Sequence, residues 1–241
     1  MSERAPIAYA LDFASAQDAR EAAARVAPAI GMVKVGLELF VHEGPSIVAI
    51  GREVGLPVFL DLKLHDIPET VERAVAQASH LGARLVTVHA SGGRAMLKCA
   101  VARAAAEGGH LAICAVTVLT SLDDADLHDI GMNGSPNEAA VRLARVAFDE
   151  GVRWFVCSPA EVRSLRAALG KDAVLVTPGV RPANAALGDQ KRVATPEQAI
   201  ADGADWVVIG RPIRDADDPL AAARAIASAI ARTVTSKEAR T

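Results

Sequence analysis

Residues 59–70 read FLDLKLHDIPET, an apolar strand pattern that carries Asp61, Lys63 and Asp66. In an extended chain, positions i and i+2 point the same way, so Asp61 and Lys63 share a face with Phe59. Alone among apolar neighbours, a lysine tends to lose its proton and an aspartate to gain one; side by side they keep each other ionised. A lysine held protonated by carboxylates is a poor nucleophile, which argues against Schiff-base chemistry. It is a good proton donor wherever negative charge develops on a carbon. Other polar residues stand near the ends of other apolar runs: Asp12, Lys34, His89, Thr120 and the pair Gly210-Arg211.

Each has a plainer structural reading beside the chemical one. An aspartate after a strand is also a helix cap, and a lone His89 is also a half-buried, hydrogen-bonded histidine. In DIPET, Asp66 can be an N-cap with Pro68 in the first turn and Glu69 completing a capping box. Four charges (Asp12, Lys34, Asp61 and Lys63) at the ends of three consecutive strands are harder to assign to capping alone.

A second signal concerns phosphate. TPGV (177–180) and IGRP (209–212) each set a glycine just after an apolar run, where backbone N–H groups can cradle an anion. Arg181 and Arg211 follow directly and offer fixed forks of donors. Neither segment is a Walker loop or a dinucleotide fingerprint. The 6 histidines show no metal-ligand spacing.

The elements that must position these residues alternate along the chain. Strand-like runs occur at 7–13, 32–37, 58–63, 85–90, 113–119, 154–158, 173–179 and 206–210, separated by alanine-rich stretches with helical periodicity. Runs that are apolar on both faces and separated by helices indicate parallel pairing through crossovers. Eight such units predict an α/β fold, the (β/α)8 TIM barrel, with an open doubly wound sheet as the alternative. A barrel places working residues at the carboxyl ends of its strands, where the polar residues collect. No linker-like segment divides the 241 residues, so a single domain spanning 1–241 is expected. The stretches 123–136 and 182–191 read as longer polar connections, and the final SKEART as a solvated tail.

Composition narrows the partners. A formal charge of −3 and 3% aromatic residues give no basic footprint or stacking platform for nucleic acid. Three cysteines without a paired pattern suit a reducing compartment. No apolar run reaches the length of a membrane span, and the first residues do not read as a signal peptide, so a cytoplasmic protein without membrane partners is expected.

DLKLHD (61–66) fits a D-x-K-x-x-D signature, and with it run ALDF (10–13), VKVGLELF (33–40), TVLTS (117–121), TPGVRP (177–182), GDQKR (188–192) and VIGRPI (208–213). This ordered set resembles the orotidine 5'-phosphate decarboxylase family in its common bacterial branch. The resemblance implies a homodimer of barrels with active sites at the subunit interface. It implies conversion of orotidine 5'-monophosphate to UMP and CO2, the last step of UMP synthesis, with no cofactor and no metal. Carried onto this chain, Lys63 is the proton donor to pyrimidine C6. Lys34, Asp61 and Lys63 form a charged array, completed by Asp66 from the partner subunit. Asp12 and Lys34 hold ribose hydroxyls together with Thr70 from the partner, and Thr120 reads the pyrimidine edge. Arg181, Gln190, Gly210 and Arg211 grip the phosphate.

Two other functions share some of these features. Sugar-phosphate enzymes with the same D-x-K-x-x-D motif use Mg2+ and an acidic residue in the second strand, where this chain has Lys34. A catalytically silent barrel that binds a phosphate ligand is the other alternative, although such a protein has no need of the four array charges.

Overall fold

A computed structural model describes residues 4–182 and 194–238, with the backbone alone for 236–238. The first half runs β1 (Ile7–Ala10), α1 (Ala16–Val26), β2 (Met32–Val35), α2 (Leu37–Glu43), α3 (Ile50–Val54), β3 (Val58–Leu64), α4 (Pro68–His80), β4 (Leu85–His89), α5 (Gly93–Ala106) and β5 (Ala112–Val116). The second half follows with α6 (Asp124–Asp129), α7 (Pro136–Asp149), β6 (Trp154–Val156), α8 (Val162–Leu169), β7 (Val174–Thr177), α9 (Pro196–Asp202), β8 (Trp206–Ile209), α10 (Arg211–Arg214) and α11 (Pro219–Glu238).

The strands pair in parallel, each with the next, and β8 returns to β1, closing the barrel. Closure satisfies every strand edge, and the predicted (β/α)8 architecture stands in place of the open sheet. Apart from β3, the strands are shorter than their apolar runs: β1 ends at Ala10, so Asp12 lies in the loop beyond it.

Alternation along the strands sorts side chains into two layers. Ile7, Tyr9, Val33, Val35, Leu60, Val86 and Phe155 face the helices in the main core. Ala8, Met32, Phe59, Leu85, Cys114 and Val176 fill the barrel interior, with Trp154 and Trp206 packed on them. Two residues further along their strands, Met32, Phe59 and Leu85 give way to Lys34, Asp61 and Thr87. The apolar plug is therefore the floor on which the charged layer rests.

Capping explains several helix starts. Ser15 accepts from the Asp18 amide ahead of α1, and Ser135 and Glu138 form a capping box ahead of α7. Two expectations are corrected here. The polar connection 123–136 carries a short helix that was not expected: Asp123 and Asp126 form a second capping box that nucleates α6. The expected tail is helical through Glu238, because α11 continues past Val234. None of the described helices is long and apolar enough to cross a membrane.

Candidate active site

At the carboxyl end of the barrel a cleft of about 270 Å3 opens, lined by Asp12, Lys34, Asp61, Lys63 and Thr120 and, from the last two βα loops, by Arg181, Gly210 and Arg211. Lys63 Nζ donates to Asp61 Oδ1 at 2.8 Å. Lys34 Nζ stands 3.6 Å from Asp61 Oδ2 and 3.5 Å from Asp12 Oδ1. The order Asp12–Lys34–Asp61–Lys63 thus alternates in charge. Its middle is dry, with the Lys34 and Asp61 side chains 12% and 14% exposed, while Lys63 and Asp12 reach further into the open cleft.

Burial pushes the Asp61 carboxyl upward. The charges of Lys34 and Lys63 and hydrogen bonds from Lys63 and Thr87 outweigh it, so Asp61 sits below the usual carboxylate range. Two unit charges ~4 Å apart at an effective dielectric of ~20 interact by about 4 kcal/mol, enough to fix both ionisation states.

The backbone beneath this array is irregular. Lys63 has φ +52°, and among the described residues it alone of the non-glycine residues has a positive φ. A left-handed conformation costs an ordinary residue about 1–2 kcal/mol and persists where surroundings over-determine it. Here the β3–β4 ladder slips, pairing Leu60 with Val86 and then Leu64 with Val88. Four steps on β3 match two on β4, and the slack falls on the stretch that carries Asp61 and Lys63. The Lys63 amide donates instead to Thr87 Oγ1 at 2.7 Å.

His89 ends β4 as expected but is absent from the cleft lining. Its ring lies 5.3 Å from that of His65. Burial, followed by the charges of His65 and Lys63, holds it below the ordinary histidine range. It is therefore a half-buried neutral histidine beside the array.

The opposite wall comes from the loops after β7 and β8. Arg181 is 7% exposed and its amide donates to Ala194 O, tying the two ends of the β7 loop together. Gln190 lies outside the described residues. Gly210 caps α10, and a Cβ there would approach Ala10 Cβ to 3.3 Å and Asp12 Oδ2 to 3.4 Å. The glycine thus lets the β8 turn close against β1 without displacing Asp12.

Asp66 and Thr70 are exposed and stand outside their own chain's cleft lining. The capping reading of Asp66 is corrected: Ile67 is the N-cap of α4, with no side-chain cap, and Asp66 Oδ1 accepts from the Ile67 amide at 2.7 Å. Pro68 is responsible, since it forces the preceding residue into extended geometry and takes the first helical position itself. Glu69 pairs with Arg73 rather than closing a box.

Three contributors were not singled out from the sequence. Thr87 bridges Lys63 and Asp61, donating to Asp61 Oδ1 at 3.1 Å; in LVTVH it reads as an ordinary strand former. Arg214 donates to Asp12 O at 2.9 Å across 202 residues, a link only the closed barrel creates. Gly36 caps α2 and faces the array, and a Cβ there would lie 3.0 Å from Lys34 Nζ. The glycine after VKV was the available signal.

Fold and site together define a class: a (β/α)8 barrel whose mouth carries an alternating acid–base array opposite two arginine-bearing loops. Within that class the chain belongs to the orotidine 5'-phosphate decarboxylase / HUMPS family, whose model matches residues 5–226. An orotidine 5'-phosphate decarboxylase from Anaeromyxobacter sp. (strain K) is 56% identical over 229 residues, which cover 95% of this chain and 99% of that one. Another, from Halorhodospira halophila, is 51% identical over 225 residues, covering 93% of this chain and 95% of its own. The crystal structure of orotidine 5'-phosphate decarboxylase from Lactobacillus acidophilus superposes with a TM-score of 0.82 at 36% identity, covering 94% of this chain and 99% of that chain.

Proposed function

We propose that this chain, as one barrel domain, decarboxylates orotidine 5'-monophosphate to UMP, with Lys63 as the proton donor. The observation that carries the reading is the position of Lys34. Its ammonium lies between the Asp12 and Asp61 carboxylates, where the metal-using sugar-phosphate branch needs an anion to hold a divalent ion. The curated relatives bearing the decarboxylase name support the same choice.

Loss of CO2 from pyrimidine C6 breaks the carbon–carbon bond and leaves its electron pair in an sp2 orbital with no carbonyl positioned to delocalise it. The enzyme must supply ~20 kcal/mol or more of transition-state stabilisation. Lys63, already held as an ammonium by Asp61, is a cation fixed near that pair before it appears, which is where preorganised electrostatics act most strongly. The Lys63 proton then passes to C6, giving UMP and a neutral amine that solvent reprotonates. Asp61 beside the leaving carboxylate adds repulsion of about 4 kcal/mol at most, so the larger share falls to the Lys63 charge and to phosphate binding energy.

The remaining roles are those that the family resemblance implies. Asp12 and Lys34 take ribose hydroxyls, Thr120 the pyrimidine edge, and Arg181, Gln190, Gly210 and Arg211 the phosphate. Asp66 and Thr70 enter the site of a partner subunit in a homodimer. The exposed Leu37, Ile67 and Leu119, on the loops and helix starts after β2, β3 and β5, support a subunit interface at this end of the barrel.

The test is ultraviolet loss of orotidine 5'-monophosphate with the protein in excess EDTA. Sustained turnover is expected. Turnover that needs added divalent metal, or UMP binding with no CO2 release, overturns the proposal in favour of a sugar-phosphate enzyme or a silent binder respectively.

A further inference from the structure

We propose that Thr87 is a positioning residue for this reaction: its hydroxyl locks the strained Lys63 backbone and the Asp61 carboxylate into one unit. The inference rests on the decarboxylation proposed above and deepens it.

Thr87 is fully buried and does not line the cleft, so it acts through its neighbours and not on a substrate. Its Oγ1 accepts from the Lys63 amide at 2.7 Å, and its O–H donates to Asp61 Oδ1 at 3.1 Å. The same Asp61 oxygen accepts from Lys63 Nζ at 2.8 Å. The contacts close a ring: Lys63 amide, Thr87 hydroxyl, Asp61 oxygen, Lys63 ammonium, and back along the lysine's own side chain. One end of the ring is the residue with φ +52°; the other is the carboxylate that keeps the ammonium charged.

Only a group that accepts and donates at once can close this ring. The slipped β3–β4 pairing leaves the Lys63 amide out of the regular ladder, and the hydroxyl takes it. With one donor from Thr87 and one from Lys63, the Asp61 oxygen has a fixed direction. The ammonium is thereby held at a set height above the apolar floor, without reorganisation during bond cleavage. The phosphate wall lies on β7 and β8, outside the ring, so the chemical step depends on Thr87 far more than substrate capture does.

The experiment compares wild type, Thr87→Val, Thr87→Ser and Thr87→Ala in steady-state decarboxylation and in UMP binding. Thr87→Val keeps the shape and removes both hydrogen bonds; kcat is expected to fall ~10–100-fold, with UMP affinity within about threefold of wild type. Thr87→Ser and Thr87→Ala both lack the methyl and differ in the hydroxyl alone, so Ser should retain a kcat at least about tenfold above Ala. This second pair decides the matter if Thr87→Val does not fold. A kcat within twofold of wild type for Val, or equal values for Ser and Ala, overturns the inference while leaving the proposed function intact. Absence of turnover in wild type overturns the proposed function, and this inference with it.

Discussion

Lys34 Nζ lies 3.6 Å from one oxygen of Asp61 while Lys63 Nζ, at 2.8 Å, takes the other. A single carboxylate, largely withdrawn from water, thus serves two ammonium groups. Removing either leaves a charge with one partner where it had two, and truncating one member of a buried pair costs roughly 3–5 kcal/mol.

Lys34→Ala is therefore expected to lower kcat/KM about 10^3-fold and to move Asp61 titration upward. The sign follows from the depressed folded value of Asp61. Its stabilising contribution is complete above the unfolded pKa of about 4 and is lost as pH falls through the folded value beneath it. Urea unfolding of wild type and Lys34→Ala across the acid range checks this. The variant has less of this contribution to lose, so its stability should fall less than that of wild type as pH drops below about 5; acid limbs of equal depth would remove Lys34 from the array.

Gly36→Ala tests how tightly the array is walled. The added methyl would stand 3.0 Å from Lys34 Nζ and 3.6 Å from Asp12 Oδ1, and Lys34 has little room to yield between two carboxylates. Activity is expected to drop about tenfold with the melting temperature nearly unchanged, since small displacements at a reacting site cost much in rate. Wild-type kcat/KM in this variant would show that the ammonium moves freely.

Tyr9 carries a different liability. Its side chain is fully buried, and its hydroxyl has no hydrogen-bond partner among the described residues. Burial, the largest cause, pushes the phenol up to about 12. Because the folded value lies above the unfolded value near 10, the contribution is complete below about pH 10 and is lost as pH rises toward 12, by roughly 2–3 kcal/mol. Tyr9→Phe should be neutral or stabilising at pH 7 and should unfold less readily than wild type above about pH 10. Alkaline denaturation followed by circular dichroism decides it, and a Phe variant as alkali-sensitive as wild type would contradict it.

Asp66 and Thr70 are exposed and lie outside the lining of their own cleft, which makes subunit mixing informative. Lys63→Ala and Asp66→Ala proteins, each inactive alone, should regain roughly a quarter of wild-type activity when reassorted in equal amounts, because half the dimers would be hybrids with one intact centre. No regained activity would place Asp66 outside a shared site.

The barrel and its charged mouth could be read from residues because both are periodic. Alternation puts Asp61 and Lys63 on one face of β3, and the scarcity of charge on helix-facing sides points that face, with Lys34, into the barrel mouth. What could not be read depends on tertiary closure or on competition between local signals. Arg214 reaches Asp12 only because β8 returns to β1. Thr87 is an unremarkable strand residue until a slipped register hands it the Lys63 amide. Asp66 lost the capping position because Pro68 dictates where α4 starts. The short helix inside the polar connection 123–136 is hard to read because aspartates favour loops as well as the capping box they form here.

In the proposed mechanism the Lys63 ammonium stabilises and protonates the C6 carbanion. Single-turnover formation of UMP by Lys63→Ala, beside wild type and at a substrate concentration that saturates both, tests it most directly. A fall of about 10^4-fold or more with UMP binding preserved is expected, the combined loss of a fixed charge and of the acid. A rate within tenfold of wild type would contradict it.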